Sequence, residues 1–248
     1  SRDILPKMRP MPPHPDDVAE AATLIAGARK PIIMAGLGAV RAAGAGEACR
    51  ALAEKCGGLL ATTLPARGLF HDDPFNLSIA GGFSSDFTRE CFAEADLIIA
   101  VGASLAHHNA DGGKLYGHAH VLQIDTNPVA LSQGRVPADT YLRGDAALAV
   151  KALADALEPR AEDAGNWRSA ALAKRIKDTP PDSSDFQAEQ GLLDPRDVAS
   201  SLDDALPLDW EAVNSSGHCS YFFAQMPQRP VERFHTIREF GAIGNGIS

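Results

Sequence analysis

Short apolar runs alternating with amphipathic stretches constrain this chain more than any other feature. PIIMAG (31–36), LLATT (59–63), LIIAVG (97–102) and VLQIDT (121–126) are too short for buried helices, and glycine or polar residues bound them. Such runs read as strands buried on both faces. TYLRGD (140–145) reads as a further strand. The intervening segments repeat with helical period. DVAEAATLIAGAR (17–29) places Val18, Ala21, Leu24, Ile25 and Ala28 on one face, with Asp16 as its expected N-cap. GAGEACRALAEKCGG (44–58) is stopped by Gly57 and Gly58, SDFTRECFAEAD (85–96) feeds the third strand, and DAALAVKALADAL (145–157) follows the last. Strands joined by helices must run parallel and be covered on both sides. The expected fold is therefore α/β, an open parallel sheet with helices on both faces, over residues 16–157.

The remainder divides by composition. Residues 1–15 hold Pro6, Pro10, Pro12, Pro13 and Pro15 and read as a stiff linker. Residues 158–190 are polar, contain Pro180-Pro181, and read as a second linker with one helix near 166–177. In 191–248 a helix (194–206) and the strand WEAVNSS (210–216, ending at Gly217) begin a second, shorter α/β segment. Both ends look cut, so a middle piece of a longer polypeptide is expected. Net charge is −9 with no basic stripe, which argues against nucleic acid as a partner. No apolar run approaches the roughly 18–20 residues of a membrane-spanning helix, so no membrane partner is expected. Cys49, Cys56, Cys91 and Cys219 form no C-x-x-C pair, which fits free thiols in a reducing, cytoplasmic compartment.

Ligands of open parallel sheets sit at the C-terminal ends of the strands. Here those ends carry Gly36-Leu37-Gly38, Gly102-Ala103-Ser104, Asp125-Thr126-Asn127 and Gly144-Asp145. The first begins like G-x-G-x-x-G, but Arg41 replaces the third glycine and LLATT ends without the acidic residue a ribose requires. That disfavours an ordinary NAD dehydrogenase. Two readings of Gly36 and Gly38 stand: tight turns that need glycine, or a crevice for the nucleotide part of FAD, ADP or coenzyme A. Asp125 either contacts a ribose or caps a short helix from Pro128. His107-His108 and the pair His118 and His120 lack a third ligand and read as surface loops, so no metal site is expected. Asp145 reads as a helix cap.

The tail carries a resemblance. AVNSSGHCSYFFAQMP (212–227) followed by REFGAIGNGIS (238–248) resembles the start of the diphosphate-binding domain in thiamine-diphosphate enzymes of the acetolactate synthase type. VGASLAHHNADGGKLYGHAHVLQIDTNP (101–128) and the 145–157 helix resemble that family's central domain. The resemblance implies a Rossmann-like central domain at 16–157 and the beginning of the cofactor's diphosphate domain at 191–248. It implies thiamine diphosphate and Mg²⁺ as cofactors, a 2-oxo acid substrate that is decarboxylated and joined to an acceptor, and a homodimer or homotetramer. By the same resemblance Ser216, Gly217 and His218 meet the diphosphate. Ile243 wedges the bent cofactor, and the Gly241 carbonyl accepts from its amino group. Asn214 and Ser215 stand where the family often has Asp. No catalytic residue is assigned: the family's activating Glu belongs to an upstream domain, and its metal motif is expected past residue 248. The 248 residues alone are accordingly expected to be inert.

Overall fold

The computed structural model describes residues 9–127, 138–160, 167–185, 187–226 and 228–236. In chain order the elements are α1 (Pro15–Gly27), β1 (Pro31–Ala35), α2 (Leu37–Arg41), α3 (Ala45–Cys56), β2 (Leu59–Thr62) and β3 (Asn76–Ile79). They continue with α4 (Asp86–Glu94), β4 (Leu97–Val101), α5 (His107–Ala110), β5 (His120–Asp125), β6 (Thr140–Arg143) and α6 (Ala146–Ala156). The last are α7 (Ala170–Asp178), α8 (Pro195–Ala205), β7 (Ala212–Asn214), α9 (His218–Ala224) and β8 (Phe234–Thr236). Six strands form one parallel sheet in the order β3-β2-β1-β4-β5-β6, and β7 and β8 form a separate parallel pair. The order reverses between β1 and β4, which is where such sheets open a crevice.

The two-residue period of a strand divides the core. Ile33, Ala35, Leu60, Ile99, Val101, Leu122 and Ile124 pack on one face against α1, α3 and α6. Ile32, Met34, Leu59, Ala61, Ile98, Ala100 and Val121 pack on the other against Phe87, Cys91 and Phe92 of α4. Every residue of β1 and β4 is buried, so both runs are apolar throughout rather than alternating. At the entry to this layer Asp96 accepts the backbone N–H groups of Arg29 and Lys30 at 2.6 and 2.8 Å, fixing where β1 and β4 begin.

Four expectations are corrected. α1 begins at Pro15, and its cap is His14, whose Nδ1 accepts the Asp16 N–H, because proline suits the first helical position; Asp16 is not the cap. The segment 158–190 is more than a spacer: α7 lies on the second core face, with Trp167, Leu172 and Ile176 packed against it. The strand expected over 210–216 is only three residues long, and β8 pairs with it. His107 and His108 lie in the short helix α5 rather than in a loop, with their rings edge to face at 5.7 Å. Asp145 does cap α6, accepting from the N–H groups of Ala147 and Leu148.

Candidate functional site

Two places merit attention: the reversal point of the large sheet and the C-terminal end of the β7–β8 pair. At the first, three glycines are packed backbone to backbone. A Cβ on Gly36 would lie 2.4 Å from the Gly102 carbonyl oxygen, and one on Gly38 would lie 2.7 Å from the Gly102 Cα. Gly102 takes φ +56°, and a Cβ there would lie 2.5 Å from the Ala39 nitrogen. Glycine is thus required for close approach and, at Gly102, for a left-handed turn. The Gly36 N–H donates to the Val101 carbonyl at 2.8 Å and the Gly38 N–H to the Gly102 carbonyl at 2.9 Å. Both donors therefore stitch β1 to β4 and are occupied. This favours the tight-turn reading of Gly36 and Gly38.

Asp125, at the end of β5, accepts the Asn127 N–H at 2.9 Å, while the Gly144 N–H donates to the Asp125 carbonyl at 3.0 Å. It shapes the turn leaving the strand. The helix expected from Pro128 lies outside the described residues. Nearby, buried Gln123 donates to the Ala103 carbonyl at 2.9 Å, so the polar groups at this end of the sheet serve one another.

At the second place, β7 and β8 run parallel with Asn214 opposite Thr236. Their C-terminal ends therefore share one side. On that side Ser216-Gly217-His218 forms the turn into α9, with Ser216 half-buried and Gly217 and His218 exposed. The turn is closed by Ser220, whose hydroxyl donates to the Gly217 carbonyl at 2.7 Å and whose N–H donates to it at 3.0 Å. Thr236, the last described residue, ends β8 on this same side, and Gly241 and Ile243 lie outside the described residues. At the opposite end of the pair Glu211 receives Arg233 at 2.5 Å and His235 at 2.6 Å, and these partners hold its carboxyl below the usual glutamate range.

Sequence reasoning missed the residues that join the large sheet to the C-terminal segment. Arg67, in the loop after β2, is 4% exposed. Its Nε donates to the Ala224 carbonyl at 3.1 Å and its Nη2 to that of Met226, at the C-terminal end of α9. Its guanidinium lies 4.2 Å over the Phe234 ring of β8. A cation at a helix C-terminus meets the carbonyls left without helical partners. Gly68 takes φ +86°, and a Cβ there would lie 2.5 Å from the Arg229 carbonyl oxygen. Fully buried Arg229 bonds the carbonyls of Leu206, Pro207 and Trp210, and its Nε stands 3.9 Å from Asp203. Burial lowers the Arg67 pKa to about 10 and raises that of Asp203, so desolvation outweighs their mutual attraction. The only local signal was Arg-Gly after a strand end, which by itself specifies nothing.

The family model for the central domain of thiamine pyrophosphate enzymes matches residues 18–153. A Pseudomonas aeruginosa protein described as a "Probable 2-ketoarginine decarboxylase" is 30% identical over 241 residues, which is 95% of this chain and 40% of that protein. The acetolactate synthase of Mycobacterium bovis is 32% identical over 221 residues, covering 86% of this chain and 35% of the relative. The acetolactate synthase large subunit of Parasynechococcus marenigrum is 31% identical over 246 residues, covering 96% and 38%. The chain thus spans 40% or less of these relatives. An X-ray structure from Mycobacterium smegmatis, titled a "putative thiamin diphosphate-dependent enzyme", shares the fold with a TM-score of 0.70 at 21% identity, over 98% of this chain and 45% of that one.

Proposed function

The chain belongs to the thiamine pyrophosphate enzymes, whose central domain it contains, and from that premise we propose that it serves a thiamine-diphosphate-dependent lyase or transferase acting on a 2-oxo acid. In this reading residues 16–157 are the central domain, 191–248 open the diphosphate-binding domain, and 1–15 and 158–190 connect units. The single observation that carries the assignment of the site is the parallel pairing of β7 with β8. It sets the Ser216-Gly217-His218 turn on the same side as the end of β8, after which Gly241 and Ile243 follow in the sequence. The turn fits an anionic group: it is polar, accessible, and holds Ser216 and His218 side chains with no hydrogen-bond partner among the described residues.

Ser216 and His218 would donate to the diphosphate, and the Gly217 backbone admits it closely. Ile243 would prop the cofactor's bend, and the Gly241 carbonyl would receive its amino group. When bound, thiamine diphosphate supplies a carbon nucleophile for the substrate carbonyl and takes up the electron pair released on decarboxylation. Among the described residues no group of three or more His, Cys, Asp and Glu could hold a metal, and Asp145 of Gly144-Asp145-Ala146 is engaged as a cap. The described residues therefore do not fit Mg²⁺. The working assembly is proposed as a homodimer or homotetramer in the cytoplasm, a reducing compartment that suits the buried free thiols Cys49, Cys56 and Cys91. No helix among the described residues is long and apolar enough to cross a membrane.

Calorimetric titration of the 248-residue chain with thiamine diphosphate is expected to give weak binding that Mg²⁺ does not tighten, and pyruvate is expected to pass unchanged. Tight, Mg²⁺-dependent binding would overturn the placement of the metal. In the complete gene product, His218→Ala should raise the concentration of thiamine diphosphate needed for half-activity about tenfold, as for one hydrogen bond to a charged group. An unchanged requirement removes His218 from the diphosphate site.

A further inference from the structure

Beside β3, the open edge of the large sheet, lies a cleft of about 920 Å³. Its walls come from the β3–α4 region, α7 and the end of α9, with Leu77, Phe87, Ile176 and Met226 giving it apolar surface. The acids in the same walls are matched already: Asp72 and Asp73 to Arg50, and Asp178 to Lys174. Two cations are not. Lys177 has no carboxylate partner among the described residues, and the Nη1 of Arg67 has no acceptor among them although Nε and Nη2 are both bonded. Behind the wall, two guanidinium groups, Arg67 (4% exposed) and Arg229 (0%), face one buried carboxylate, Asp203 (3%). A surplus positive charge out of water is costly until an anion approaches it.

We propose that this cleft binds a small carboxylate carried on an apolar body, the carboxylate matched to Arg67 and Lys177 and the body lying against Leu77, Phe87, Ile176 and Met226. The unmatched donors number too few for a compact dianion, and the apolar walls would leave a bare inorganic anion without contacts. The site is separate from the diphosphate turn. It meets α9 at Ala224, whereas the turn precedes His218, about 9 Å away along the helix axis. The inference does not rest on the family reading, since only the cleft's own charges and surfaces enter it.

The test is a titration of the chain with 4-methylpentanoate, its methyl ester and inorganic phosphate, followed by amide chemical shifts. Saturable binding of the carboxylate alone, with shifts confined to β3, α7 and the end of α9, is the expected result. No saturable binding, or equal binding of the ester or of phosphate, overturns the proposal. Arg67 also holds α9, so its replacement would mix binding with docking, and two variants on α7 carry the second part. Ala173→Trp fills the cleft and Lys177→Gln removes a cation, and each should weaken 4-methylpentanoate binding about tenfold. Wild-type affinity in either overturns the assignment.

Discussion

At the scale of single residues, a few positions fix the local backbone. Gly102 combines a left-handed turn with backbone contact on its Cα side, so Gly102→Ala should destabilise the chain by at least about 2 kcal/mol in urea denaturation. Asp145 holds two N–H groups of α6, and Asp145→Ala should cost about 1 kcal/mol in the same measurement. The cap at Asp145 was legible because an acid stands directly before an apolar helical stripe. Asp16 misled because the same rule competes with a stronger one: Pro15 occupies the first helical position and moves the cap to His14. The role of Arg67 was not legible. It binds carbonyl oxygens more than 150 positions away, and every residue carries a carbonyl.

At the scale of elements, the buried strands β1, β2, β4 and β5 could be read directly, since continuous apolar runs between helices have few other solutions. β3 could not. Its four residues alternate half-buried and buried at a sheet edge, and Ser78 takes φ +65°, so neither an apolar run nor a clean alternation marks it. α7 was half-read: the helix was expected, but its four charged residues hid the stripe of Leu172 and Ile176 that rests on the sheet. The β7–β8 pair is two strands of three residues each, and Glu211 ties its N-terminal end through His235 and Arg233. Because those partners lower the folded-state pKa of Glu211, the tie contributes fully above the ordinary glutamate value. It is lost as pH falls through the lower folded value. Amide exchange in β7 and β8 should accelerate beyond the intrinsic trend in the wild type only as pH falls below the ordinary glutamate range. In Glu211→Gln the excess should vanish.

At the scale of the whole molecule, the parallel connectivity followed from the alternation of elements, but the strand order and the seating of the C-terminal segment on the sheet did not. That seating combines Arg67 on α9, Gly68 against the Arg229 backbone, Gln225 donating to the Phe83 carbonyl at 3.1 Å, and the rings of Phe83 and Tyr221 at 5.3 Å. Such contacts depend on shape, which local patterns do not encode. Gly68→Ala should unseat the segment while sparing the sheet. Limited proteolysis should then cut within 187–212 several-fold faster, with the 16–157 portion surviving. Equal cutting rates would mean that Gly68 does not govern the seating. The turn proposed for the diphosphate was found together with the end of β8, while Gly241 and Ile243 lie outside the described residues.

The buried guanidinium of Arg67 has a practical consequence for anyone dissecting this polypeptide. Excising the first sheet by truncation after α6 would strip away the carbonyls and the aromatic ring on which that side chain rests, and would bare the flank of Phe83. The trimmed body would expose a sticky, cationic scar where the natural one is sealed. A soluble version would therefore need a smaller neutral residue at that position and a polar one in place of the phenylalanine.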